Sequence, residues 1–321
     1  MLFRSVQMTW VIWRQHRAEG LILLVVLAVI GVFLLITGLE MANSFQQLVL
    51  SNCLVPTSKG SSCDELGMAW NNQYGGFLRG APLLLALPLL LGALVGAPLV
   101  TREVEQRTHL LIWTQSITRM RWLTVKLALV LGAGLLASGA LLAVLIWWNS
   151  PSVQIFGDSF GARVYDTSGP VWVATALLAL ALGIFAGALT RRTVAAIFLT
   201  LVLFVAIRVP VEVLWRPNFQ TPLTVTYSID QQNPPALSNQ DWRLASGFID
   251  AQGNRSTNLR GSCTRDETLT QCLQANGVQA NYISYQPGDR FWTFQWIETG
   301  IYVGFSLLAL FAAVWLVRRL N

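Results

Sequence analysis

The chain has 321 residues, of which 54% are hydrophobic and only 12% charged, with a mean hydropathy of +0.51. A soluble domain carries about 25% charged residues, so a soluble globular enzyme is excluded. The net charge of +6 comes from 22 basic and 16 acidic side chains scattered around apolar runs rather than gathered into a stripe, which argues against a nucleic-acid binder.

In chain order, residues 1–19 come first. Phe3, Val6, Trp10 and Trp13 are spaced three or four apart among Arg4, Arg14 and Arg17, the pattern of a helix lying in the membrane interface. A cleaved signal peptide fits less well, because the following apolar run is too long and no small-x-small site precedes Asn43. A bilayer core needs about 20 apolar residues per helix. Six runs meet that length: Gly20–Leu39, Gly80–Val100, Leu127–Trp148, Pro170–Leu189, Val194–Trp215 and Trp292–Val317. The expected fold is therefore an all-α integral membrane protein with six transmembrane helices.

Residues 40–79 form an outer loop after the first span. The second span carries Pro82, Pro88 and Pro98, with Gly92 and Gly96 spaced as G-x-x-x-G, a feature of close helix packing. Residues 101–126 link spans two and three. They are too charged for the membrane and too apolar in the middle for a simple solvated loop. Glu103–Trp113 can form a short helix offering Val104, Leu110, Leu111 and Trp113 to a partner; the plainer reading is a basic loop that sets topology. Between spans five and six, residues 216–291 alternate strand-like pieces (Leu223–Ile229, Trp242–Ile249, Asn281–Tyr285) with turn-rich ones, which predicts a small β-containing cap. Residues 292–321 hold the sixth span and a short tail.

Short-loop arginines and lysines set orientation. With both termini in the cytoplasm, twelve basic residues face three acids on that side. The cap is then extracellular. All four cysteines, Cys53, Cys63, Cys263 and Cys272, fall on the outer side, where disulfides form. Local pairing, Cys53 with Cys63 and Cys263 with Cys272, is the simplest of three connectivities. A zinc site is the sharper alternative, but neither pair has ligand spacing and His16 and His109 lie on the other side, so no metal is expected.

Three ionisable residues lie near the outer ends of their spans. Arg208 and Glu212 are four apart, hence on one helical face: either a snorkelling i,i+4 pair or a gate or substrate contact. Glu298 lies within an otherwise uncharged run, which makes it a functional candidate with Arg208 as partner. No phosphate-binding G-x-x-x-x-G-K loop, HExxH or G-x-S-x-G occurs, so catalytic residues and a cofactor of the chain's own are not expected.

The N-terminal Trp-x-x-Trp-Arg, six spans, the acidic-then-Thr, Leu, Trp, Thr-Gln-Ser loop and the Trp296–Glu298 WIE together resemble the membrane subunit of the ABC type 2 (ABC-2) permease family, as found in actinobacterial exporters. In that family the loop forms a coupling helix that docks into a separate ATP-binding subunit, and a glycine precedes the threonine where this chain has Arg107. The resemblance implies that Glu103, Glu105, Arg107, Thr108, Leu111 and Trp113 contact the ATPase subunit. It further implies that ATP and Mg are bound by that partner and that two permease copies, as a homodimer, sit in lipid in a bacterial cytoplasmic membrane. The implied activity is export of a hydrophobic or amphipathic substrate: a drug, lipid or peptide. From a different class, a membrane sensor or immunity protein would bind a peptide or antibiotic through the cap.

Overall fold

The computed structural model describes residues 2–47, 60–105, 119–157, 159–230, 237–258 and 268–319. Six helices in it are long and apolar enough to cross a membrane: Leu24–Phe45, Glu65–Arg102, Leu123–Ile155, Pro170–Thr190, Thr193–Asn218 and Gly288–Arg318. All six expected runs are therefore found; the first is shifted to Leu24–Phe45 and the others are extended at one or both ends. The first helix, α1 (Leu2–Phe45), has 44 residues without a break. At 1.5 Å per residue it is about 66 Å long, roughly twice a hydrocarbon core. The aromatic, basic stretch at its start is continuous with the first span. The loop expected over 40–79 also contains helix, because α2 (Gly60–Gly80) leads into the second span.

The prolines leave their mark on the second span. Pro cannot donate the helix hydrogen bond and clashes with the preceding turn. The span accordingly passes through a 3-10 segment (Ala81–Ala86), α3 (Leu87–Leu91), a π-turn (Gly92–Gly96) and α4 (Pro98–Glu105). The third span belongs to α5 (Arg119–Phe156), and a short helix, α6 (Ala162–Thr167), connects it to the fourth span.

The fourth span, α7 (Pro170–Thr190), is the centre of the molecule, with most of its length buried. Its alanines and glycines explain how. Lipid tails supply no hydrophobic force between helices, so association rests on close packing of small residues. A Cβ added at Gly92 would strike the Ala179 carbonyl, one at Gly183 the Gly92 carbonyl, and one at Gly96 would lie 2.8 Å from the Leu180 carbonyl oxygen. Spans two and four thus touch backbone to backbone. The G-x-x-x-G of the second span meets a matching spacing, Gly183 and Gly187, on the fourth. Lys126 is fully buried in the same bundle and donates to the Leu99 carbonyl at 3.4 Å, joining the third span to the second.

The fourth span ends with Arg191 in the left-handed region (φ 56°), its N–H donating to the Gly187 carbonyl. Two residues later α8 (Thr193–Pro210) begins, so spans four and five form a tight antiparallel hairpin. Beyond Pro210 the fifth span continues as a π-turn (Val211–Trp215) and a 3-10 turn (Arg216–Asn218).

The residues expected to form a β-containing unit do so. An antiparallel sheet, ordered β1-β4-β2-β3, is built from β1 (Leu223–Ser228), β2 (Trp242–Asp250), β3 (Arg255–Ser256) and β4 (Val278–Gln286). A short helix, α9 (Leu269–Ala275), precedes β4 and opens with a capping box made by Thr268 and Gln271. The sixth span follows in α10 (Phe291–Arg318). Buried Gln286 ties the sheet to the spans: its Nε2 donates to the Pro217 and Gln220 carbonyls at 3.0 and 2.6 Å, and its Oε1 accepts from Arg290 Nη1 at 2.7 Å.

Gly183→Val should cost about 1–3 kcal/mol or more by overpacking against backbone that cannot yield. Gly132→Ala, where nothing lies within 4 Å, should be neutral. Thermal unfolding of the purified protein in detergent measures both.

Candidate functional site

Four charged residues at the sheet end of the bundle, Asp166, Arg208, Arg216 and Glu298, converge on one buried cluster. Arg216 closes the fifth span, and its guanidinium meets Glu298 of the sixth in a two-pronged contact: Nε to Oε2 at 2.8 Å and Nη2 to Oε1 at 2.7 Å. The same Nη2 reaches Asp166 Oδ1 at 2.8 Å, and Asp166 Oδ2 accepts from Arg208 Nη2 at 2.7 Å. Side chains of Glu298, Asp166 and Arg216 are 0%, 2% and 3% exposed. Tyr302 donates to Glu298 Oε1 at 3.0 Å, and the Tyr165 ring lies beneath the Arg216 guanidinium, 4.2 Å from its centroid. Charge-assisted, two-pronged contacts of this kind are the strong class of hydrogen bond.

Arg208, Glu212 and Glu298 are thus brought together, but not in the pairing expected from sequence. Glu298 pairs with Arg216, and Arg208 with Asp166. The i,i+4 partner Glu212 stays at 3.8 Å from both arginines and is 30% exposed. The π-turn explains the arrangement. Eight residues of plain α-helix would turn Arg216 about 80° away from Arg208. The wider i→i+5 winding of Val211–Trp215 takes up that drift and presents both guanidiniums to one side.

Asp166 and Arg216 were missed in the sequence. Arg216 continues the four-residue spacing from Arg208 and Glu212, but it lies one residue beyond the apolar run that ends at Trp215. Asp166 carried a weaker signal, an acid among Phe160, Val164 and Tyr165, all of which prove buried. Burial pushes both the Asp166 carboxyl and the Tyr165 hydroxyl above their ordinary ranges; for Asp166 it outweighs the opposing pull of Arg208 and Arg216.

Around the cluster, α6 is held against the spans. Gln295, fully buried, accepts from Val171 N at 3.3 Å and donates to the Tyr165 carbonyl at 2.7 Å. Phe160 stacks on Trp242 of the sheet at 5.5 Å and packs edge-on against Phe291 and Phe294. The carboxylates face guanidiniums and hydroxyls, so the arrangement fits a clamp between spans better than an acid–base site.

At the opposite end of the bundle, Glu105 terminates α4 and reaches the first turn of α8. Thr193 donates to it twice, from N to Oε1 at 2.9 Å and from Oγ1 to Oε2 at 2.7 Å, while Thr101 Oγ1 lies 2.8 Å from Thr193 Oγ1. These donors lower the Glu105 pKa, so the contact is present above the ordinary carboxylate range and is lost as pH falls through the depressed value. Arg107, Thr108, Leu111 and Trp113 lie outside the described residues, as does the side chain of Glu103. So do Cys53, Cys263 and the side chain of Cys63; Cys272 is buried and not free.

The model of the ABC-2 membrane transporter related family matches residues 24–216, three-fifths of the chain. The chain belongs to this family. As an ABC-2 permease it is a multi-pass membrane component of a transporter, not an enzyme. No curated protein and no solved structure matches it. The matched region runs from the first span to Arg216, so the ABC-2 region supplies Asp166, Arg208 and Arg216, while Glu298 comes from the sixth span beyond it.

Arg216→Ala should cost about 3–5 kcal/mol by stranding Glu298 and half of the Asp166 contact. Arg216→Met combined with Glu298→Met should recover much of the loss, and Glu212→Ala should cost under about 1 kcal/mol because its contacts are long and wet. The midpoints of thermal unfolding in detergent rank the three.

Proposed function

We propose that the chain is the permease subunit of an ATP-driven exporter that moves a hydrophobic or amphipathic substrate (a drug, lipid or peptide) outward across a bacterial cytoplasmic membrane. Family membership supports the transporter class. The observation that carries the reading further is the fifth span. One end is gripped by Glu105, at the root of the loop expected to dock on the ATPase, and the other carries Arg208 and Arg216 of the buried cluster. A helix held firmly at both ends transmits displacement as a rigid body.

In this reading the separate ATPase subunit binds ATP and Mg and docks on residues 101–126 through Glu103, Glu105, Arg107, Thr108, Leu111 and Trp113. Closure of the ATPase pair moves the loop. Glu105 then pulls on Thr193, and the shift arrives at Arg208, Glu212, Arg216 and Glu298, whose exchange of partners accompanies opening of the pathway on the outer side. Two permease copies as a homodimer complete the translocator, with both termini cytoplasmic and the sheet as an extracellular cap. Residues 1–19 continue the helix of the first span on the cytoplasmic side. Cys53–Cys63 and Cys263–Cys272 disulfides brace the outer segments.

Co-expression of the tagged protein with its neighbouring genes and purification in mild detergent tests this. An ATPase should co-purify, and Trp113→Ala should release it. Glu105→Ala should leave it bound but uncouple ATP hydrolysis from substrate, with stimulation by substrate falling at least about fivefold. Purification of the chain alone overturns the transporter reading and turns attention to the cap as a receptor.

A further inference from the structure

The charges at the sheet end of the bundle do not balance. Three carboxylates, Asp166, Glu212 and Glu298, share two guanidiniums, Arg208 and Arg216, so with every group ionised the cluster carries one excess negative charge. Asp166, Arg216 and Glu298 are almost wholly buried. An uncompensated charge costs far more there than at a surface, and uptake of a proton relieves it.

The hydrogen bonds single out the carboxylate that takes the proton. Glu298 accepts three, two from Arg216 at 2.8 and 2.7 Å and one from Tyr302 at 3.0 Å, and all of them favour its ionised form. Glu212 is 30% exposed, so it escapes much of the cost of burial. Asp166 has neither advantage, because each of its oxygens accepts a single bond, Oδ1 from Arg216 and Oδ2 from Arg208. Asp166 is also the one side chain among the described residues within hydrogen-bond distance of Arg208, whose Nη1 has no partner there. Glu212 stands 3.8 Å from Arg208 Nε, so a shift of about 1 Å makes that contact a close ion pair.

The groups that face Asp166 come from three elements. Tyr165 is its neighbour on α6, Arg208, Glu212 and Arg216 belong to the fifth span, and Glu298, with Tyr302 bonded to it, to the sixth. Arg163, also on α6, is turned to Ser152 and the Leu78 carbonyl. The other segments packed near α6, Ala81–Ala86, the last three turns of α5 and Pro170–Thr190, contain no titratable residue.

We propose that Asp166 is the proton-binding residue of a latch between α6 and the fifth span. Uptake of one proton brings the cluster to balance, two charges against two. Arg208 then leaves Asp166 and closes on Glu212, Arg216 stays on Glu298, and α6 loses both of its ion pairs to the fifth span. Burial holds the Asp166 carboxyl above its ordinary range, with Glu212 and Glu298 pushing the same way, so the latch is closed above that raised value and opens as pH falls through it. The latch deepens the export reading by naming what drives the exchange of partners, and it rests on that reading only for the outer side as the source of the proton.

Infrared difference spectroscopy of the full-length protein in lipid nanodiscs, stepped from about pH 8 to about pH 5, tests the proton site. The carbonyl band of a buried, protonated carboxyl should grow in the unmutated protein and be lost in Asp166→Asn. Glu212→Gln removes the excess charge and should move the midpoint of that band down by about one pH unit. Hydrogen–deuterium exchange of residues 162–167, corrected for the pH dependence of intrinsic exchange, tests the latch. It should rise at least about threefold over the same range, and Asp166→Asn should exchange at the faster rate throughout. Size-exclusion profiles establish that each variant is folded, and if Asp166→Asn is not, the band of the unmutated protein and its displacement in Glu212→Gln decide. Absence of the band, its survival in folded Asp166→Asn, or a midpoint unmoved by Glu212→Gln overturns the proton site. Exchange of residues 162–167 that does not change with pH overturns the latch. None of these measurements uses an ATPase, so failure here leaves the transporter assignment standing, and absence of an ATPase partner leaves the latch standing.

Discussion

A guanidinium removed from water has to find its charge and its hydrogen bonds inside the protein, and Arg216 does so with two carboxylates from different parts of the chain. Much of the sheet end follows from that requirement. Glu298 brings the sixth span against the fifth, and Asp166 brings in the short helix between spans three and four. Asp166 is shared with Arg208, so the fifth span contributes two cations to one cluster. An α-helix alone would splay those cations apart, and the π-turn at Val211–Trp215 keeps them together. The sheet is joined to this assembly by Gln286 and by the Phe160–Trp242 stack, so a disturbance of the cluster reaches it directly.

The rest of the bundle is held by a different force. Spans two and four carry no ion pair between them; they approach until backbone touches backbone, at Gly92, Gly96, Gly183 and Gly187. Dispersion over a long, flat contact replaces the hydrophobic effect that lipid cannot supply. The fourth span is therefore a core around which the others are arranged, and the fifth is its hairpin partner. At the loop end that partner is gripped through Thr193 by Glu105 and Thr101 of the second span. The polar contacts thus sit at the two ends of the spans, with small residues and apolar surface between them, as the cost of burying unpaired polar groups in hydrocarbon requires.

Particular residues show what could be read without coordinates. The six apolar runs were legible because a bilayer demands a minimum length and tolerates few charges. The strands were legible because alternation and turn residues are local, and β1, β2 and β4 fall on Leu223, Trp242 and the Asn281 stretch as expected. Glu298 drew attention for a sound reason, since a carboxylate among apolar residues needs a partner. The expected partner, Arg208, gives way to Arg216, because the choice between the two depends on a π-turn that no local propensity signals. Asp166 is harder to read, because the apolar residues beside it hint at burial but not at which span it meets.

Composition and periodicity by themselves determined the membrane class, the number of spans, the place of the sheet and the family resemblance, since these depend on hydropathy and spacing within single segments. Only the tertiary structure decided which charges meet, which span is central and which glycines touch. Those are facts about segments far apart in sequence, where pairing is settled by three-dimensional packing and by the penalty for leaving any buried charge or N–H alone.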